Sequence, residues 1–265
     1  MASVGKTESG GLPATALIVA HPGHELRVFR WMEKLRPIYC CITEGSGGNG
    51  TTRIASTGAL LHKVGAISGP IYGRYPDKRV YQLLLNGHLE VFAQLANELA
   101  DFLVEAGITC VAGDAVEGFN PVHDVCRFVI DGAVERVRRR TGRVLQNYDF
   151  VLDGKPDACP ESLRSGVTRL DLDEDSLDRK IEAAFAYREL RQEVDLALGR
   201  FGRAAFGVEY LRPTTTRIML EQFDCELPAY ERYGQIRVNE RRYAEIIRYR
   251  QHVLPVRQAI EQENQ

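Results

Sequence analysis

The chain has 265 residues, 44% of them hydrophobic and 26% charged, and a net charge of −2. That length fills one large α/β domain or two small ones and needs no disulfide or metal to complete a core. The near-neutral charge gives no electrostatic basis for binding nucleic acid, and no apolar run approaches the roughly 18 residues of a membrane span.

Residues 1–15 read as a flexible leader, without the charged and apolar regions of a secretory signal. Strands are predicted at 16–20, 38–43, 67–72 and 109–113, with helices at 24–36, 51–65 and 88–107 between them. A further helix follows at 121–141, where Val125, Val129, Ala133 and Val137 recur every four residues and Pro121 suits the first turn. Such alternation argues for a mostly parallel sheet flanked by helices on both faces. Residues 148–154, "YDFVLDG", read as an added edge strand. Beyond them, 170–198 reads as an acidic cap leading into one long amphipathic helix, and 206–213 as a short strand. The tail from Val238 reads as one helix kinked near Pro255.

The six cysteines form no C-x-x-C pair, and Cys40, Cys41 and Cys110 lie in apolar runs where a free thiol packs as a small hydrophobe. The chain therefore reads as a reduced, cytoplasmic protein, and its composition is compatible with a homo-oligomer. The arginine-rich stretches at 135–140 and 239–250 read as solvated helix faces.

Two stretches carry chemistry. "TEGSGGNGTTRIA" holds Gly45, Gly47 and Gly50 in G-x-G-x-x-G order between a strand and a helix, the spacing of a dinucleotide-binding turn. It follows the second strand rather than the first, and no acidic residue closes the next strand to hold a ribose. A flexible glycine-rich rim without a nucleotide is the better reading. The second signal is "LIVAHPGHELRVF", which places His21 and His24 at a strand-to-helix corner, and "GDAVEGFNPVHDVCRF", which places His123 at another. In a parallel sheet such corners open at one edge. Three converging imidazoles with an open fourth position make a plausible catalytic zinc site. His62, His88 and His252 fall in or beside helices and read as structural or surface residues.

These stretches resemble a family. "VAHPGHE" is similar to the Ala-His-Pro-Asp-Asp-Glu motif of the zinc-dependent N-acetylglucosaminyl deacetylases related to LmbE and PIG-L, and "NPVHDVC" to their His-Pro-Asp-His motif. The glycine loop with its following helix, "KIEAAFAYREL" and "FGVEYL" are weaker landmarks. The resemblance covers about 16–212 and implies a Rossmann-like α/β domain there, with 213–265 a helical extension packed on the same domain. It implies His21, His24 and His123 as ligands of one zinc ion, His24 standing where the family has a ligating Asp. Gly23 replaces the Asp that serves the family as general base, Asn120 replaces the His that steadies the oxyanion, and Val122 the Asp beside it. Arg53 and Asp77 resemble positions that touch substrate.

Exchanging a carboxylate ligand for imidazole makes the centre one unit more positive, and a three-histidine zinc activates water near neutral pH. Asn120 retains a donor for an oxyanion. A carboxyl to carry the proton is missing, and Glu25, Asp124, Asp114 and Glu117 are the neighbours in sequence able to replace it; Glu25 is alternatively a residue that orients a ligand imidazole. The expected activity is hydrolysis of an N-acyl amide on a small, sugar-like substrate. The alternative is a metal-binding relative that no longer deacetylates.

Overall fold

In the computed structural model, which describes residues 14–47 and 50–263, the first strand is buried along its whole length. Ala16 and Ile18 of this strand, β1 (Thr15–Val19), join one hydrophobic cluster, and Leu17 and Val19 join another. Successive strand residues face opposite ways, so both faces of the sheet must be covered.

After a 3₁₀ turn at His24–Val28 come α1 (Phe29–Leu35), β2 (Ile38–Thr43), α2 (Ile54–Val64), β3 (Ile67–Tyr75), α3 (Asp77–Leu85), α4 (Leu89–Glu105) and β4 (Cys110–Asp114). The chain continues through α5 (Pro121–Thr141), β5 (Gln146–Phe150), β6 (Thr168–Asp171), α6 (Glu174–Ala186), a 3₁₀ turn at Arg188–Leu190, α7 (Arg191–Phe201) and β7 (Val208–Pro213). It closes with α8 (Thr216–Cys225), α9 (Ala229–Asn239) and α10 (Leu254–Gln262). The sheet order is β3-β2-β1-β4-β5-β7-β6. The first five strands in that order run parallel, and β7 and β6 pair antiparallel. Helices α4, α5 and α10 cover one face, and α1, α2 and α6 the other.

Four expectations are corrected. The strand near 148–154 is β5, and it lies inside the sheet because β7 pairs along its far side. The long helix expected across 170–198 breaks at Tyr187, whose buried hydroxyl is drawn to Glu25. The tail is two helices separated by residues 240–248 and a π-helical turn at Tyr249–Val253. Within the expected leader, Thr15 already belongs to β1 and the Ala14 carbonyl accepts from Thr109 N; residues 1–13 lie outside the described residues. All six cysteines are free. No helix among the described residues is long and apolar enough to cross a membrane.

One long-range contact fixes where α1 starts. The helix has no side-chain cap of its own. The Glu209 carboxylate, arriving on β7, accepts from Arg30 N and Trp31 N at 2.9 Å each and pairs with buried Lys180 at 2.9 Å. Orphan donors of a helix start are thereby satisfied by a distant strand.

Candidate metal centre

Strands β1 and β4 are neighbours, but the chain leaves β1 toward β2 and leaves β4 toward β5. The crevice beyond their carboxyl ends is the topological switch point, where open α/β sheets bind ligands. His21 lies two residues beyond the end of β1, after Ala20. Gly23, with φ of 107°, turns the chain into the 3₁₀ turn that carries His24. Across the crevice, Asn120 caps α5 by accepting from Val122 N at 2.8 Å, and Pro121 sits in the first turn, which brings His123 to the same place.

The three histidines meet there. Their ring centres are 5.3 Å (His21–His24), 5.1 Å (His21–His123) and 4.5 Å (His24–His123) apart, each pair edge to face. A tetrahedral ion held at about 2.1 Å by three imidazole nitrogens sets the ring centres about 5 Å apart. Among the described residues no group of three or more His, Cys, Asp or Glu side chains lies in an arrangement that could hold a metal ion as it stands. The fit rests instead on the atoms left over: His21 Nε2 and His123 Nδ1 are buried without a hydrogen-bond partner. Burying such atoms unpaired is costly, and a metal ion satisfies both.

Carboxylates stand behind two of the rings. His21 Nδ1 lies 3.0 Å from Asp77 Oδ1 and 2.7 Å from Thr43 Oγ1; His24 Nδ1 lies 2.9 Å from Asp114 Oδ2. A carboxylate behind an imidazole fixes its tautomer, places the proton on Nδ1 and frees Nε2 as a ligand. The His24 ring is thus backed by a buried carboxylate, Asp114. Burial, and then the neighbouring imidazoles, hold His24 and His123 well below the usual histidine range. Both are therefore neutral at pH 7, the state that binds metal. Burial pushes Asp114 up to about 7. For Asp77, burial is outweighed by the bonds from His21, Thr43 and Gly47 N, and its carboxyl sits well below the ordinary range.

The remaining expected site residues fall as follows. Asn120 is half-buried at the crevice; its Oδ1 accepts from Val122 N and, at 3.4 Å, from the Tyr81 hydroxyl. With that oxygen engaged, Nδ2 is the atom left to donate. Arg53 donates to the Pro22 carbonyl at 3.4 Å, beside His21, and lines a cavity of about 310 Å³. Asp77, expected to touch substrate, is instead committed to His21 and Gly47 N.

Glu25 is fully buried and bonds to Gly23 N, to the Tyr39 hydroxyl and to the Tyr187 hydroxyl. None of these partners is an imidazole, which corrects the expectation that it orients one. Burial raises its pKa. Asp124 is equally buried: Oδ1 accepts from Glu117 N and Gly118 N, and burial lifts the carboxyl to about 7. The Glu117 carboxylate accepts from Leu152 N and Asp153 N. Each expected replacement for the missing base is therefore tied into the structure around the crevice. Gly45, Gly47 and Gly50 all have positive φ, and Gly45 lines the cavity rim. His62 and His88 are exposed, and His252 lies near the other end of the chain, bonded to Arg248 N.

The residue that sequence gives no means of finding is Leu190. Its side chain fills the space that a Cβ at position 23 would enter. This corner is thus filled by an apolar group brought from the 3₁₀ turn before α7.

No family model matches this chain, and no curated protein matches it. Among solved structures it is similar to the A40926 pseudoaglycone deacetylase Dbv21, at a TM-score of 0.53 and 16% identity, over 77% of this chain and 97% of that one. It is also similar to the conserved protein TT1542 from Thermus thermophilus, at a TM-score of 0.51 and 16% identity, over 76% of this chain and 93% of that one. The chain has the fold of these proteins, an α/β fold with a mostly parallel sheet.

Proposed function

We propose that this protein is a metal-dependent hydrolase of a C–N bond, related to the LmbE-like and PIG-L-related deacetylases, that removes the acyl group from an N-acetylated, sugar-like small molecule. The observation that carries the reading is the meeting of His21, His24 and His123 at the switch point, two of them backed by carboxylates. The fold shared with a deacetylase and the two sequence motifs support it.

His21, His24 and His123 would hold one divalent ion, and three neutral imidazoles with an open position suit zinc. When bound, such an ion supplies a Lewis acid for the acyl carbonyl and lowers the pKa of water. Asp77 and Asp114 keep two of the imidazoles in the ligating tautomer. Asn120 Nδ2 donates to the carbonyl oxygen as negative charge develops on it. Leu190 and Pro22 line the corner at Gly23 with apolar surface. Arg53 stands at the edge of the crevice, where the rest of the substrate lies.

One observation favours a second reading, a metal-binding relative that deacetylates poorly. Position 23 bears no carboxyl, and the Leu190 side chain would have to shift to admit one. General acid–base help is commonly worth about 10²–10⁴-fold, so its loss leaves slow turnover. Zinc-loaded protein assayed with fluorescamine on a panel of N-acetylated sugars separates the two. Zinc-dependent amine release that His21→Ala abolishes supports the hydrolase; zinc binding without amine release favours the second reading.

A further inference from the structure

The cavity of about 310 Å³ beside the histidines is lined by Gly45, Ser46, Thr51, Arg53, Arg188 and Glu189. Its size suits a group on a small-molecule substrate. Two arginines line it, and neither side chain has an acidic partner among the described residues. Arg53 makes a single long bond, to the Pro22 carbonyl, and Arg188 is exposed with no hydrogen bond or ion pair among those residues. The one carboxylate in the lining, Glu189, is taken up by the Ser56 hydroxyl, at 2.9 and 3.1 Å. The lining therefore carries a net positive charge.

The position of Arg188 is fixed by its neighbours although its own side chain is free. Tyr187 is bonded to Glu25, Glu189 to Ser56, and Leu190 is packed over Gly23. The turn is pinned to the crevice on both sides of residue 188. Two long cations with no acidic partner, sharing the lining of one cavity, are an arrangement suited to gripping an oxyanion.

We propose that this cavity is a subsite for an anionic group on the substrate, a carboxylate or a phosphate monoester, clamped between Arg53 and Arg188. The proposal rests on the hydrolase reading only in taking the group to be part of the N-acyl substrate. Arg188 is then a specificity residue: it touches the far end of the substrate, away from the acyl group.

The test is calorimetric binding of three probes to the full chain: N-acetylglucosamine, its 6-phosphate, and the same sugar bearing an O-lactyl carboxylate. At least one anionic probe is expected to bind about tenfold or more tightly than the neutral sugar, the worth of one charge-assisted contact. Which anionic probe gains identifies phosphate or carboxylate as the ligand. Arg188→Gln is expected to bring that preference down toward one; because the Arg188 side chain makes no bond among the described residues, and its carbonyl keeps the bond from Arg191 N, the fold survives the change. The same preference persisting in R188Q would assign it to the histidine cluster and overturn the proposal, as would equal binding, or no binding, of all three probes by the wild type. Amine release without an anionic preference refutes the subsite and leaves the hydrolase reading standing. An Arg188-dependent preference without amine release does the reverse.

Discussion

Leu190 Cδ1 occupies the space into which any side chain at Gly23 would have to grow, and Gly23 itself has φ of 107°. Restoring an Asp at this position therefore meets two obstacles: a backbone conformation costing a non-glycine residue about 1–2 kcal/mol, and overpacking costing about 1–3 kcal/mol. Gly23→Asp is expected to lose about 2–5 kcal/mol in urea titration without gaining amidase activity. Gly23→Asp with Leu190→Ala should recover part of that loss, because the two sites share one space. A single variant as stable as wild type, with faster amine release, would contradict this picture.

The bond between His24 and Asp114 makes a prediction about affinity. Removing the partner behind a ligand imidazole typically costs about 10–100-fold in metal binding. Asp114→Asn and Asp77→Asn should each weaken zinc by about that factor in competition with a chromogenic chelator. Unchanged affinity in both would show that the carboxylates do not orient the rings.

Asn120 has two separable roles. Asn120→Ala loses the cap on α5, at about 0.5–2 kcal/mol, and the donor as well. Asn120→Asp keeps an oxygen for Val122 N but puts no N–H toward the crevice. Both variants should lower the rate of amide hydrolysis, by about 10²–10³-fold, while only the alanine lowers thermal stability appreciably. Equal destabilisation with unchanged turnover would leave Asn120 a cap alone.

The buried acids set the pH dependence of the metal-free protein. Burial lifts Asp124 and Glu117 to about 7. In the unfolded chain such groups titrate at about 4, so the native state holds more protons, and stability falls as pH rises from about 4 through 7. His24 and His123 act in the other direction. Their native pKa values are lowered, so the unfolded chain takes up protons first and stability falls as pH drops below about 6.5. Thermal melts should therefore show a maximum in mildly acidic solution. Asp124→Asn, which mimics the protonated acid, should flatten the loss between about pH 4 and 7. A melting temperature that climbs steadily to pH 8 in both proteins would refute the assignment.

The alternation of apolar runs and helical periods predicts four of the five parallel strands, of which β1, β2 and β4 are buried almost throughout. It misplaces β5 because a strand's partner on its far side, β7, arrives much later in the chain and leaves no local mark. The break at Tyr187 is hidden for the same reason: the helical period runs on, but a buried hydroxyl reaching Glu25 wins over propensity. Helix α3 has a signal that goes unused in the chain-order reading, Pro76-Asp77 before Val80, Leu83 and Leu84, and with it the start that delivers Asp77 to His21. The histidines are readable because strand-to-helix corners of parallel strands share an edge. What stands behind them, and what fills the gap at Gly23, depends on side chains from α3, β4 and the turn at Leu190, whose meeting no spacing encodes.

The central claim is that His21, His24 and His123 form one metal centre, and elemental analysis of protein purified without chelator and dialysed against trace zinc tests it most directly. The account predicts about one zinc per chain, lost on alanine substitution of any of the three and retained in His62→Ala, His88→Ala and His252→Ala. Wild-type protein that takes up no zinc, or triple-alanine protein that binds as much as wild type, would contradict it.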